Sequence, residues 1–217
     1  MSFTAGQREQ RVQTILEILK DEFPDRSSPL EHRNAFELLI GVILSAQTTD
    51  AQVNRITPTL FAEYPTATAL ADADPSRLEE ILHPVGFFRA KTRSIRGCAQ
   101  ALCRDHGGEV PRSMNELVSL PGVGRKSANV IRSHVFGEPA IVVDTHFGRV
   151  VRRLDFTSAS KPDMVEEELA GIVPASDQSD FSMVINFHGR KTCTAKKPQC
   201  EGCSIRAYCP FPESKET

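Results

Sequence analysis

"LPGVGRKSANV", residues 120–130, sets a proline and two glycines between two runs of helical spacing. Gly122 and Gly124 let the backbone approach a neighbour closely. The helix that opens at about Arg125 turns its unpaired N–H groups toward the same spot, an arrangement suited to a phosphate. The pattern is a helix–hairpin–helix. Proline-glycine turns also serve as plain connectors between helices. The hairpin by itself therefore leaves two readings of Lys126, a further cation beside a phosphate or a nucleophile.

The flanking sequence is helical throughout, with no alternating run long enough for a strand. Val12, Ile15, Leu16 and Leu19 share a face of a first helix that stops at Pro24, and "SSPLEHRN" reads as a linker. "AFELLIGVILSAQ" is apolar on most sides, as in the central helix of a bundle. Asp50 is expected to cap the next helix, and Pro58 to kink or shorten it. Asp74 and Pro75 form a cap followed by proline at the first helical position. Ile95, Cys98, Ala99, Leu102 and Cys103 form an inner stripe that ends at Gly107-Gly108, and Ser113 with Glu116 spells a capping box ahead of the hairpin. Later helices are expected over Thr145–Arg153, Pro162–Ile172 and Asp180–His188.

The chain has 217 residues and a net charge of -2, so nothing global announces a polyanionic partner. The distribution is more informative. Phe88 to Lys126 holds eight Lys and Arg against Asp105, Glu109 and Glu116, and Arg190 to Arg206 holds five against Glu201 alone. A near-neutral protein can thus present a basic face, although solvated helix faces would leave the same pattern. No stretch approaches the roughly 18 apolar residues of a membrane span, and a cytoplasmic protein is expected.

Cys193, Cys200, Cys203 and Cys209 are spaced C-x6-C-x2-C-x5-C in a short loop-rich segment. With only one C-x2-C knuckle, a cubane with one cysteine per iron fits better than zinc, which remains open; disulfides fit least. Cys98 and Cys103 read as small core residues. In "AIVVDTHFGRVVRRL", Asp144 follows four apolar residues and precedes a helix. It is an N-cap, and a partly desolvated carboxylate there is also suited to act as acid, base or stabiliser of positive charge. A lysine near such a group has the makings of a nucleophilic amine.

Taken together, "LLIGVILSAQTTD", "GFFRAK", "LPGVGRKSANV", "VDTH", "FHGRKTC" and the cysteine spacing resemble the endonuclease III family of the helix–hairpin–helix glycosylase superfamily over nearly the whole chain. The resemblance implies an all-α fold with two helical lobes flanking a DNA-binding cleft. One lobe, residues 28–138, is a six-helix barrel with the hairpin. The other joins residues 1–27 to 139–217 and a C-terminal [4Fe-4S] cluster held by Cys193, Cys200, Cys203 and Cys209. It implies base excision repair of double-stranded DNA containing oxidised pyrimidines or abasic sites, by a monomer that flips the damaged nucleotide out of the stack. Lys126 then corresponds to the amine that attacks C1′, releases the base, forms a Schiff base and cuts the strand 3′ to the site by β-elimination. Asp144 corresponds to the assisting carboxylate.

By the same resemblance, Gln47 fills the gap left by the flipped base and Phe87 is an apolar wedge in the stack. Gly122, Gly124 and Arg125 belong to the phosphate-holding hairpin, His146 positions, and Lys191, Lys196 and Lys197 grip phosphates. Phe147 stands where an aliphatic residue is expected, so it and Phe87 bear on the range of lesions. The rival readings are an adenine-mismatch glycosylase without lyase activity, a non-catalytic DNA-binding redox module and a simple electron carrier. Lys126 argues against the first, as does the lack of a further domain after the cysteines. The hairpin has no use in the last.

Overall fold

The computed structural model describes residues 4–212, and among these every regular element is helical. The chain divides into two compact units: Ser28–Phe136, and the segments before and after it.

The contiguous unit holds α2 (Ala35–Leu44), α3 (Asp50–Glu63), α4 (Ala67–Ala71), α5 (Pro75–Leu82), α6 (Phe88–His106), α7 (Met114–Ser119) and α8 (Arg125–Phe136). Asn34 caps α2 by accepting from the Glu37 N–H at 2.9 Å, and every residue from Phe36 to Leu44 is buried. Such a helix has no solvent face and is the post around which the others pack. Truncating any of its leucines to alanine would cost about 2–5 kcal/mol.

Two local expectations change. Thr49, not Asp50, caps α3, its hydroxyl accepting from the Gln52 N–H, while Asp50 occupies the first turn, where its charge suits the helix dipole. Pro58 lies inside an uninterrupted α3 because tertiary packing outweighs the missing backbone bond: Val53, Ile56, Thr57, Leu60 and Phe61 around it are all buried. Ser113 caps α7 as expected, its hydroxyl accepting from the Glu116 N–H, and the Glu116 carboxylate in turn accepts from the Ser113 hydroxyl. Asp74 and Pro75 open α5 as expected.

The second unit comprises α1 (Ala5–Glu22), α9 (Thr145–Arg153), α10 (Pro162–Ile172), α11 (Gln178–Lys191) and the cysteine-bearing segment. Thr4 and Gln7 form a reciprocal capping box at the start of α1, and Val12, Ile15, Leu16 and Leu19 are buried against α11 and its neighbours. Arg11 holds the two ends of the unit together, donating to the carbonyls of Leu154 and Tyr208, each at 2.7 Å. Phe147, expected to bear on the lesion, is fully buried, edge-on to Phe181 with ring centroids 6.0 Å apart. It is a core residue, and an aromatic fits there because α11 offers another ring to meet it.

Candidate functional site

The hairpin is pinned at two points. Leu120 and Val123 are buried in the core of the contiguous unit, whereas Pro121, Gly122, Gly124, Arg125 and Lys126 are exposed. The turn closes through the Val123 N–H, which donates to the Leu120 carbonyl at 3.1 Å, and the Gly124 carbonyl accepts the first bond of α8, from Ala128 at 2.9 Å. Gly122 has φ +82°, and a Cβ there would come within 2.9 Å of Ser94 Cβ. Only glycine meets both demands. On α6, Gly97 leaves room for Pro121, whose ring lies 3.4 Å from where a Cβ would stand. Nothing local in the sequence marks Gly97 as the hairpin's seat. Lys126, one residue into α8, therefore projects from a turn held firmly from behind.

Gln47 and Phe87 belong to this unit as well. Both are exposed and both have left-handed backbones, φ +53° and +57°. Phe87 is 68 % exposed, the most open of the large apolar side chains among the described residues. That exposure, and a conformation that costs of order 1–3 kcal/mol for a non-glycine residue, single out both positions.

In the second unit, Asp144 caps α9. Its Oδ1 accepts from the Phe147 N–H at 2.7 Å and its Oδ2 from the Asn186 side chain at 2.6 Å. Asn186, on α11, was not singled out from the sequence; an asparagine between Ile185 and Phe187 carries no signal until the two helices are seen to cross. The crossing is close because α11 has Gly189 there: a Cβ would stand 3.0 Å from Val150 Cγ2, 3.1 Å from His146 Cβ and 3.2 Å from the His146 carbonyl. Arg149 reinforces it, donating to the carbonyls of Gly189 at 2.7 Å and Cys193 at 3.1 Å. Its Nη2 also lies 3.3 Å from His146 Nδ1.

Cys193, Cys200, Cys203 and Cys209 are unpaired thiols lining one cavity in this unit, with Val150, Leu154 and Ile205 among its apolar walls. Burial, and then the charge of the neighbouring sulfurs, pushes the Cys209 thiol up to about 11. A metal that took these ligands would displace their protons. Polar groups already face the sulfurs: Arg153 Nη1 donates to Cys193 Sγ at 3.2 Å, and His188 Nε2 lies 3.6 Å from Cys203 Sγ. Such contacts orient ligands and stabilise thiolates, so the donor set fits an iron–sulfur group. Lys196 and Lys197 are exposed beyond Cys193, and the Lys191 ammonium sits over the Phe23 ring, 5.4 Å from its centroid.

Comparison with known proteins agrees with this layout. Residues 40–175 match the model of the HhH-GPD superfamily of base excision DNA repair proteins, and residues 193–209 that of the iron-sulfur binding domain of endonuclease III. The chain is 44 % identical to endonuclease III of Synechocystis over 94 % of its length and 93 % of the relative's. Against that of Haemophilus influenzae it is 40 % identical over 93 % and 96 %. A solved structure described as a trapped endonuclease III–DNA covalent intermediate superposes with a TM-score of 0.90 at 40 % identity, covering 96 % of this chain and 99 % of that one. The fold, the hairpin and the cysteine-lined cavity, taken with these relatives, show that the chain belongs to the endonuclease III family of DNA glycosylase/AP lyases, iron–sulfur proteins of base excision repair.

Proposed function

We propose that Lys126 is the nucleophile of this enzyme and Asp144 its assisting carboxylate, acting on oxidised pyrimidines and abasic sites in double-stranded DNA. The observation that carries the reading is an exposed lysine at the mouth of α8, on a hairpin anchored by Leu120 and Val123. Gly122, Gly124 and the first N–H groups of α8 hold a phosphate of the strand, and Arg125 adds a positive charge beside it. The grip brings C1′ of a flipped nucleotide to the Lys126 amine.

Attack by the amine forms the C1′–N bond while the glycosidic bond breaks and the base leaves with a proton. As the C1′–O4′ bond breaks, the second amine proton passes to O4′ and C1′ is left as the imine. The imine makes the C2′ proton acidic; its loss expels the 3′ phosphate and cuts the strand. A serine or a water at this position would stop at base release, since neither forms an imine. Asp144 stabilises the positive charge that develops at the sugar. Both its oxygens are already fixed, by the Phe147 N–H and by Asn186, and each retains a lone pair. Such a preorganised anion does not reorganise as charge appears.

Gln47 fills the space the flipped base leaves and Phe87 enters the stack beside it. His146, Lys191, Lys196 and Lys197 add phosphate contacts. The cofactor is a [4Fe-4S] cluster on the four cysteines. The match of residues 193–209 to the iron-sulfur binding domain of endonuclease III supports iron rather than zinc on these thiolates. The cluster shapes the loop that carries Lys196 and Lys197. That a relative has been captured as a covalent intermediate with DNA supports an amine nucleophile here.

The test is borohydride trapping on duplexes containing thymine glycol or an abasic site. Wild type is expected to give a covalent protein–DNA species, and Lys126→Gln none. Equal trapping by both would refute the assignment.

A further inference from the structure

Lys91 lies in α6 and is only 5 % exposed. Its ammonium donates to the hydroxyl of Thr48, next to Gln47 in the loop after α2. Its own backbone N–H closes the first turn of α6 on the carbonyl of Phe87, at 3.0 Å. One side chain therefore ties together the two segments that carry the left-handed non-glycine residues of this unit. The segments also run side by side: a Cβ on Gly86 would stand 3.9 Å from the Gln47 carbonyl. The Thr48 N–H in turn donates to Ser45 at 3.1 Å, which fastens the loop to the end of α2.

A buried ammonium is expensive, and this one has a neutral hydroxyl as its partner. Burial alone pulls Lys91 below its ordinary pKa, with no carboxylate to offset it among the described residues. A methionine or leucine would fill the same space without that desolvation cost. The two segments it joins hold non-glycine residues in a conformation that surrounding contacts must enforce. A bond from a rigid helix to the loop is such a contact, since it acts one residue from Gln47 and one helical turn from Phe87.

We propose that Lys91 is a positioning residue for opening the duplex, locking the Gln47 loop to the start of α6 so that Gln47 and Phe87 enter the DNA as one preset pair. This rests on the reading that those two side chains enter the stack. Without the tie, each must be ordered as it enters, and the loss falls on steps that unstack DNA rather than on the chemistry at the sugar.

The experiment uses the full-length, cluster-containing enzyme and three substrates: a duplex with thymine glycol, the same duplex with 2-aminopurine beside the lesion, and a single strand with an abasic site, which has no duplex to open. Lys91→Met keeps the aliphatic stem and removes the donor; Thr48→Val removes the acceptor with little change of volume. Each is expected to slow single-turnover base release from the duplex about 10-fold and to shrink the 2-aminopurine signal, while cleavage of the abasic single strand stays within about twofold of wild type. The double variant should be no worse than Lys91→Met alone, because both changes cut one bond. Should Lys91→Met fail to fold, Thr48→Val carries the test. Equal losses on single strand and duplex, or no loss on either, would overturn the proposal. Phe87→Ala and Gln47→Ala separate the two levels. If they leave the 2-aminopurine signal intact, the insertion reading falls and the Lys91 proposal with it; if they abolish it while Lys91→Met and Thr48→Val do not, only the Lys91 proposal falls.

Discussion

Replacing Gly189 by alanine tests whether the crossing of α9 and α11 holds Asp144 in place. The added methyl would meet Val150 Cγ2 at 3.0 Å, His146 Cβ at 3.1 Å and the His146 carbonyl at 3.2 Å. Two of these are backbone or next to it and cannot swing aside, so the helices must part by a few tenths of an ångström. Overpacking of this kind costs about 1–3 kcal/mol, and alanine returns about 1 kcal/mol as the better helix former. The net loss, about 0–2 kcal/mol, corresponds to a fall of up to about 8 °C in Tm for a chain of this size. Separation also lengthens the 2.6 Å bond from Asn186 to Asp144. A hydrogen bond to a charged group contributes about 1.5–3 kcal/mol, so losing half of it should slow base release about 10-fold, and Asn186→Ala should slow it by up to about 100-fold. Calorimetry and single-turnover glycosylase assays on both variants, with Val150→Ala added to Gly189→Ala for partial relief, give the comparison. A Gly189→Ala enzyme as stable and as fast as wild type would show that the crossing tolerates slack and that the Asp144 cap is set by α9 alone.

Two further tests concern separate parts of the molecule. The buried Glu37 carboxyl is raised by desolvation, but the hydrogen bonds and charge of Arg33 outweigh that and hold it below its ordinary 4.5. Its contribution to stability is therefore complete above about pH 4.5 and is lost as pH falls through the lowered folded-state value. Glu37→Gln should flatten Tm against pH between about 5 and 3, and an unchanged acid limb would rule this group out. Purified enzyme should be yellow-brown with about four irons per chain, and Cys209→Ser should lower both iron content and visible absorbance; unchanged values would remove Cys209 from the ligand set.

Reading the sequence worked best where a signal is local. α9 and α10 begin and end at the expected residues because Asp144 caps one and Pro162 opens the other. α11 extends beyond Asp180–His188 at both ends: it follows a short 3₁₀ turn, Ala175–Asp177, with no capping side chain to mark its start. The all-helical fold was legible in the 3.6-residue spacing of apolar side chains. Asn186, Arg149, Gly97, Gly189 and Lys91 were not legible as parts of a site, since each is defined by a partner on another helix or loop. Phe147 misled in the opposite direction. Its place after Asp144 and His146 suggested contact with the lesion, whereas the helical turn carries it inward to Phe181.

The placement of α1 has a consequence for synthesis on the ribosome. Ser28–Phe136 is contiguous and can fold as it emerges, while α1, made before it, finds its packing partners in segments made after it, α10 and α11 among them. Its apolar row, Val12, Ile15, Leu16 and Leu19, must wait uncovered through translation of the whole intervening unit. The nascent chain is therefore at its most chaperone-dependent midway through synthesis, and a ribosome stalled before α11 would hold a finished unit behind one greasy, orphaned helix.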